Sequence, residues 1–149
     1  EYFYDLKDAI KVTNPISSDL DVMRPTIIPN ILDILRANNN RNFNDLSFFE
    51  IGNIFLDLSQ NGQVPVITGA RMGKYAGKNI HSNERKFDIF DVKADFVALV
   101  EYCGLDFDKL QISRKVPSWL HPARSCSLNL GKNLIGYFGE IHPLVLEKF

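Results

Sequence analysis

Cysteine is scarce in this chain. Cys103 and Cys126 are the only two among 149 residues, and no CxxC spacing joins them. A disulfide framework and a paired-cysteine zinc site are thereby excluded, and two buried free thiols in a reducing cytosol are expected. Histidine is almost as rare: His81, His121 and His142 stand far apart without HExxH spacing, so no metal site is expected. No apolar run approaches the roughly 20 residues of a membrane span, and no secretory leader pattern is visible. Charge of one sign is also missing. The formal net charge is -1, whereas a domain that grips nucleic acid over its whole surface is usually basic. No glycine-rich turn enters a helix with P-loop spacing, since Gly73, Gly77 and Gly104 fit no such pattern.

What is present suits an ordinary folded domain. Hydrophobic residues make up 45% and charged residues 23%, enough apolar material for a core and too little charge for disorder. We expect a single domain over 1–149. The chain begins at Glu1 rather than methionine and ends inside a starting helix, which reads as a piece of a longer protein.

Ala9 to Thr13 reads as a short strand ending at Asn14-Pro15, and Ile16 to Pro25 as a structured loop. From Thr26, a plausible N-cap, Ile27, Ile28, Ile31, Leu32 and Leu35 repeat on one helical face, with Pro29 tolerated in the first turn. The asparagines from Asn38 to Asn44 end that helix. Leu46 to Leu58 reads as a long strand covered on both faces, with Phe49, Ile51 and Phe55 on one side and Phe48, Glu50, Gly52 and Ile54 on the other. Asn61-Gly62 marks a hairpin turn, and Pro65 places the start of the return strand at a sheet edge.

Gly73 to Arg85 reads as a surface loop. A second helix is expected from Asp91 as N-cap, with Val92, Phe96, Leu99, Val100 and Cys103 as its stripe and Gly104 as its stop. Leu110 to Val116 looks like a strand. Cys126, Leu128 and Leu130 then alternate with Ser125, Ser127 and Asn129, turn at Gly131-Lys132-Asn133, and return through Gly139. Pro143 opens a last helix. Hairpins with two separated helices imply an α+β fold, an antiparallel sheet flanked by helices.

His121, Arg124, Glu140 and His142 lie beside two His-Pro steps that bracket this last hairpin. Histidine, arginine and glutamate so grouped suit acid/base chemistry, and a small enzyme built on His121, Glu140 and His142 is one reading. Cys126 paired with either histidine is another, but its place in an alternating strand fits a core thiol better. Capping of the final helix by Glu140 or His142 is the plainer alternative. Arg24 and Arg124 each adjoin a proline-containing turn, and Glu50 lies on an otherwise apolar strand. An internal ion pair between Glu50 and one of these arginines follows, because unpaired buried charge is costly. Trp119, Phe48, Phe49, Phe55, Tyr137 and Phe138 read as core rather than as a stacking platform for single strands.

Several of these stretches occur together in an order that resembles a known family. Asn14-Pro15-Ile16-Ser17, Met23-Arg24-Pro25-Thr26-Ile27-Ile28-Pro29, Phe48-Phe49-Glu50-Ile51-Gly52 with Phe55, Phe90-Asp91-Val92-Lys93 and the two His-Pro segments are similar to the late part of the bacterial phenylalanyl-tRNA synthetase beta subunit. The resemblance covers nearly the whole chain. It departs from the family at Ala123 and Asn30, where glycine is usual, and in having no tryptophan around His81 to Lys86.

The resemblance implies a catalytic-like, class II aminoacyl-tRNA synthetase-like module that has lost its chemistry. The working site would lie on an alpha subunit, in a cytoplasmic heterotetramer of two alpha and two beta chains with no membrane role. The full enzyme would use ATP and magnesium and bind tRNA, and this segment would hold no cofactor. Arg24, Pro29, Glu50, Gly52, His121, Arg124, Glu140 and His142 would then be family-signature, structural residues. Phe48 stands two before Glu50 where a working site would place an arginine, and Gly136 to Pro143 contains none. An autonomous tRNA-binding module is a further alternative, which the near-neutral charge disfavours.

Overall fold

The computed structural model describes residues 3–5, 9–76, 80 and 83–149, so the expectations for Gly77 and His81 lie outside the described residues. It is α+β, with small antiparallel sheets and three α-helices. The chain divides into two compact units, Glu1–Met72 and Gly73–Phe149.

In the first unit, α1 (Ile28–Asn39) lies against a hairpin of β1 (Leu46–Phe55) and β2 (Gln63–Met72). The periodic face of α1 is buried at Ile31, Leu32 and Leu35, as is Ile27 just before it. Thr26 is not the N-cap. Ile27 holds that position without a side-chain cap, and Thr26 Oγ1 accepts only from the Ile28 amide at 3.4 Å. Pro29 occupies the first turn, where no intrahelical acceptor is lost. Residues 9–13 form no strand; Lys11 makes a single bridge to Val22.

Strand β1 stops three residues short of Leu58, and the connection 56–62 is wider than an Asn-Gly turn. It closes as a 3-10 turn, Gln60–Gly62, whose Ser59 side chain accepts from the Gly62 amide at 3.1 Å. A Cβ at Gly62 would collide with Asp57, which accounts for glycine there. Nor is β1 covered on both faces. Phe49 and Ile51, with Ile67 opposite Ile51, remain exposed, while Phe48, Glu50, Gly52 and Ile54 occupy the other face half-buried. Pro65 lies on a strand paired only with β1 among the described residues, so its missing N–H breaks no ladder.

In the second unit the expected loop after Gly73 contains a ribbon of β3 (Lys74–Ala76) and β4 (Arg85–Lys86). Helix α2 (Ile89–Tyr102) is capped three residues before the expected position. Asp88 is the N-cap, and Asp91 is its reciprocal partner in a capping box. Gly104 ends the helix at φ 81°, a left-handed value that favours glycine. Cys103, expected to be buried, is exposed at the C-cap; Cys126 is half-buried against the core.

A three-stranded sheet follows in the order β5 (Gln111–Ser113), β6 (Leu120–Leu130), β7 (Asn133–Ile141), and α3 (Pro143–Leu146) closes the chain. Strand β5 is shorter than the expected Leu110–Val116. Leu128, Phe138, Val100 and Leu110 form the core of this unit, with Phe96 of α2 packed against it. A Cβ at Gly136 would press into the Phe96 ring, so glycine permits this helix-to-sheet approach.

Candidate functional site

The double His-Pro segment folds into two equivalent turns. At each step the imidazole Nδ1 accepts a backbone N–H two residues on: His121 from Ala123 at 3.1 Å, His142 from Leu144 at 3.2 Å. His142 is thereby the N-cap of α3. Proline after each histidine fixes φ and needs no acceptor of its own, which suits the tight turn. With Nδ1 accepting, the neutral ring carries its proton on Nε2.

These turns sit where β6 and β7 part. The ladder pairs Leu120 with Ile141 and resumes at Ser125 with Gly139, so residues 121–124 of β6 bulge outward. The Ser125 hydroxyl, nearly buried, donates to the His121 carbonyl at 2.6 Å and closes the excursion. Arg124 and Glu140 bridge it at 2.7 Å from solvent-exposed positions. Gly139 has φ 152°, and a Cβ there would strike Ser125 and the Arg124 carbonyl.

The four residues that suggested acid/base chemistry therefore do come together. The two imidazoles lie 6.3 Å apart, centroid to centroid, with Arg124 and Glu140 paired on the adjoining strands. Yet each is engaged in holding backbone or a neighbouring charge, and they meet on an exposed hairpin end. Glu140 does not cap α3, because its carboxylate is taken by Arg124. Among the described residues no group of three or more His, Cys, Asp or Glu converges to hold a metal ion.

Arg24, Glu50 and Gly52 form a second cluster, in the first unit. Arg24 donates to the Glu50 carboxylate at 2.5 Å and, through Nε, to the Asn53 carbonyl at 3.0 Å. Its own carbonyl accepts from Phe55 at 3.0 Å. The expected ion pair of Glu50 thus forms with Arg24, not Arg124. It is about one-third exposed, at 35% and 32% of the side chains, rather than internal. A Cβ at Gly52 would occupy the space of the Arg24 guanidinium.

Arg85 was not singled out from the sequence. It grips Asp91 with two bonds of 2.7 and 2.6 Å and lies 4.0 Å over the Tyr75 ring. The hydrogen bonds it donates to Asp91 push its already high pKa further up. The signal for it was Asp88 three residues before Asp91, next to a cation. Asp57 was missed as well. Hydrogen bonds from the Ser59 side chain, then from its amide at 2.7 Å, hold the carboxyl below the usual carboxylate range.

A family profile described as the phenylalanyl tRNA synthetase beta chain CLM domain matches residues 2–149. The phenylalanine–tRNA ligase beta subunit of Rickettsia bellii is 45% identical over 148 residues, covering 99% of this chain and 17% of its own length. That of Bartonella quintana is 42% identical over 144 residues, 93% of this chain and 18% of its own. That of Rhodospirillum rubrum is 41% identical over 140 residues, 94% of this chain and 18% of its own. The chain thus spans less than a fifth of these relatives' lengths. With the profile running through both compact units, this chain belongs to the family of the phenylalanyl tRNA synthetase beta chain CLM domain.

Proposed function

We infer that the chain serves as a non-catalytic, class II synthetase-like module of a phenylalanine–tRNA ligase beta subunit, its two units acting as one domain. The single observation that carries this reading is the unbroken family match over 2–149. The relatives bear the ligase's name, which supports membership of an enzyme that joins phenylalanine to its tRNA; ATP and magnesium would serve that full enzyme. The module's task is structural: it packs against an alpha subunit in a cytoplasmic assembly of two alpha and two beta chains. No helix among the described residues is long and apolar enough to cross a membrane.

The geometry supports a supporting rather than a reacting role. His121 and His142 each commit Nδ1 to a turn, Arg124 and Glu140 pair with each other, and Arg24 pairs with Glu50 while holding the Asn53 carbonyl. Copurification of the chain with a coexpressed alpha subunit tests the reading. Failure of the two to associate overturns it, as does phenylalanine-dependent ATP–pyrophosphate exchange by the chain alone above a mock preparation.

A further inference from the structure

The second unit holds an open pocket of about 430 Å³ on the face of the β5–β7 sheet turned away from α2. Its floor is polar. Ser113, Ser127 and Tyr137 lie side by side on the three strands, and Asn129 follows on β6. Its wall is apolar, built by Val116 and Pro117 of the segment after β5 and by Leu134 of β7. Lys115 lines it as well, and no carboxylate does. Among the described residues no ion pair engages the Lys115 ammonium.

The hydrogen bonds on the floor are loose. The hydroxyl of Ser127, a residue only 2% exposed, donates to the Ser113 carbonyl at 3.4 Å and accepts from the Asn129 amide at 3.4 Å. Both are near the limit for such bonds, so a better-placed acceptor would draw these donors away at little cost. The Ser113 hydroxyl accepts from the Lys115 amide at 3.1 Å and keeps its own proton to donate. Donors and one cation without a balancing anion select negative charge. The Tyr137, Val116, Pro117 and Leu134 surfaces select an apolar body beside it.

We propose that this pocket binds a small amphipathic monoanion, a carboxylate carried on an aromatic or branched apolar group. Lys115 and the Ser127–Asn129 pair take the carboxylate, and the apolar body lies against Tyr137 and the Val116–Pro117 wall. This site is separate from the His-Pro hairpin end and does not rest on the structural role inferred above.

Saturation-transfer NMR on the purified protein tests the proposal, with benzoate, methyl phosphate and benzylamine as probes. Benzoate is expected to receive saturation and the other two not. Lys115→Glu is expected to weaken benzoate binding about tenfold or more, the scale of one lost charge-assisted contact. Lys132→Glu, on the β6–β7 turn outside the pocket, is expected to leave it unchanged. Asn129→Leu supplies a second, independent loss, and an unaltered melting curve for Lys115→Glu keeps that variant interpretable. Absence of transfer to benzoate overturns the proposal. So does equal transfer to benzylamine or methyl phosphate, or equal loss in the two lysine variants.

Discussion

Arg24 illustrates how one side chain can tie distant backbone together without being deeply buried. Its guanidinium meets Glu50 and Asn53 while its carbonyl receives the Phe55 amide, so residue 24 is fastened to β1 at three points. The pair is about one-third exposed, and solvent screens much of its attraction. Glu50→Gln is therefore expected to cost only about 1 kcal/mol. Gly52→Ala should cost a similar amount, by displacing the same guanidinium. The double substitution should cost little more than either one, a non-additivity readable in a denaturation cycle. Gly139 is a different case. Its φ of 152° and its contact with Ser125 and the Arg124 carbonyl leave nothing flexible to move aside. Gly139→Ala should destabilise by about 2 kcal/mol or more, measured by chemical denaturation.

Elements were legible where pattern and local chemistry agreed. The face of α1, the glycine after α2, the alternation of β6 and Pro143 opening α3 were all readable from spacing. The start of α2 was not, because the apolar period begins at Val92 while the chain is capped earlier, by Asp88. Asp88→Ala should cost about 1 kcal/mol in thermal or chemical unfolding, the usual worth of such a cap. Asp91→Ala should cost a comparable amount by removing the reciprocal bond and freeing Arg85. The covering of β1 was also misread: its apolar residues have helical cover on one face only, which composition cannot reveal.

The 56–62 connection carries a pH dependence. Asp57 is bound more favourably as a carboxylate in the folded chain, so its contribution is present above the ordinary carboxylate range. It is lost as pH falls through the lowered folded value. Protection factors of the Ser59 and Gly62 amides, taken relative to the intrinsic exchange rate at each pH, should fall on acidification, and Asp57→Asn should abolish that change.

At the scale of the molecule, both units hold buried apolar side chains, Ile27, Ile31, Leu32 and Leu35 in the first and the Leu128 cluster in the second. Leu128 is fully buried at the centre of the second unit's core, and Leu128→Ala is expected to cost about 2–5 kcal/mol by leaving a cavity. The candidate site was legible as a set of residues. His121, Arg124, Glu140 and His142 stood out by spacing, but the sequence could not tell converging side chains from converging duties. That distinction needed the hydrogen-bond partners, chiefly the two Nδ1 acceptors. The pocket residues were hidden for another reason: Ser127 and Asn129 looked like the ordinary solvent side of an alternating strand.

The bulge in β6 has one more consequence, for parity. Between its two paired ends β6 advances five residues, Leu120 to Ser125, while β7 advances two, Ile141 to Gly139. An odd step on one strand faces an even step on the other, so the two-residue rhythm of β6 slips phase across the bulge. A saturation scan along residues 120–130 should record that slip: Leu120 and Ser125, five residues apart, share one face, while Leu128, in the core on the other face, stays intolerant.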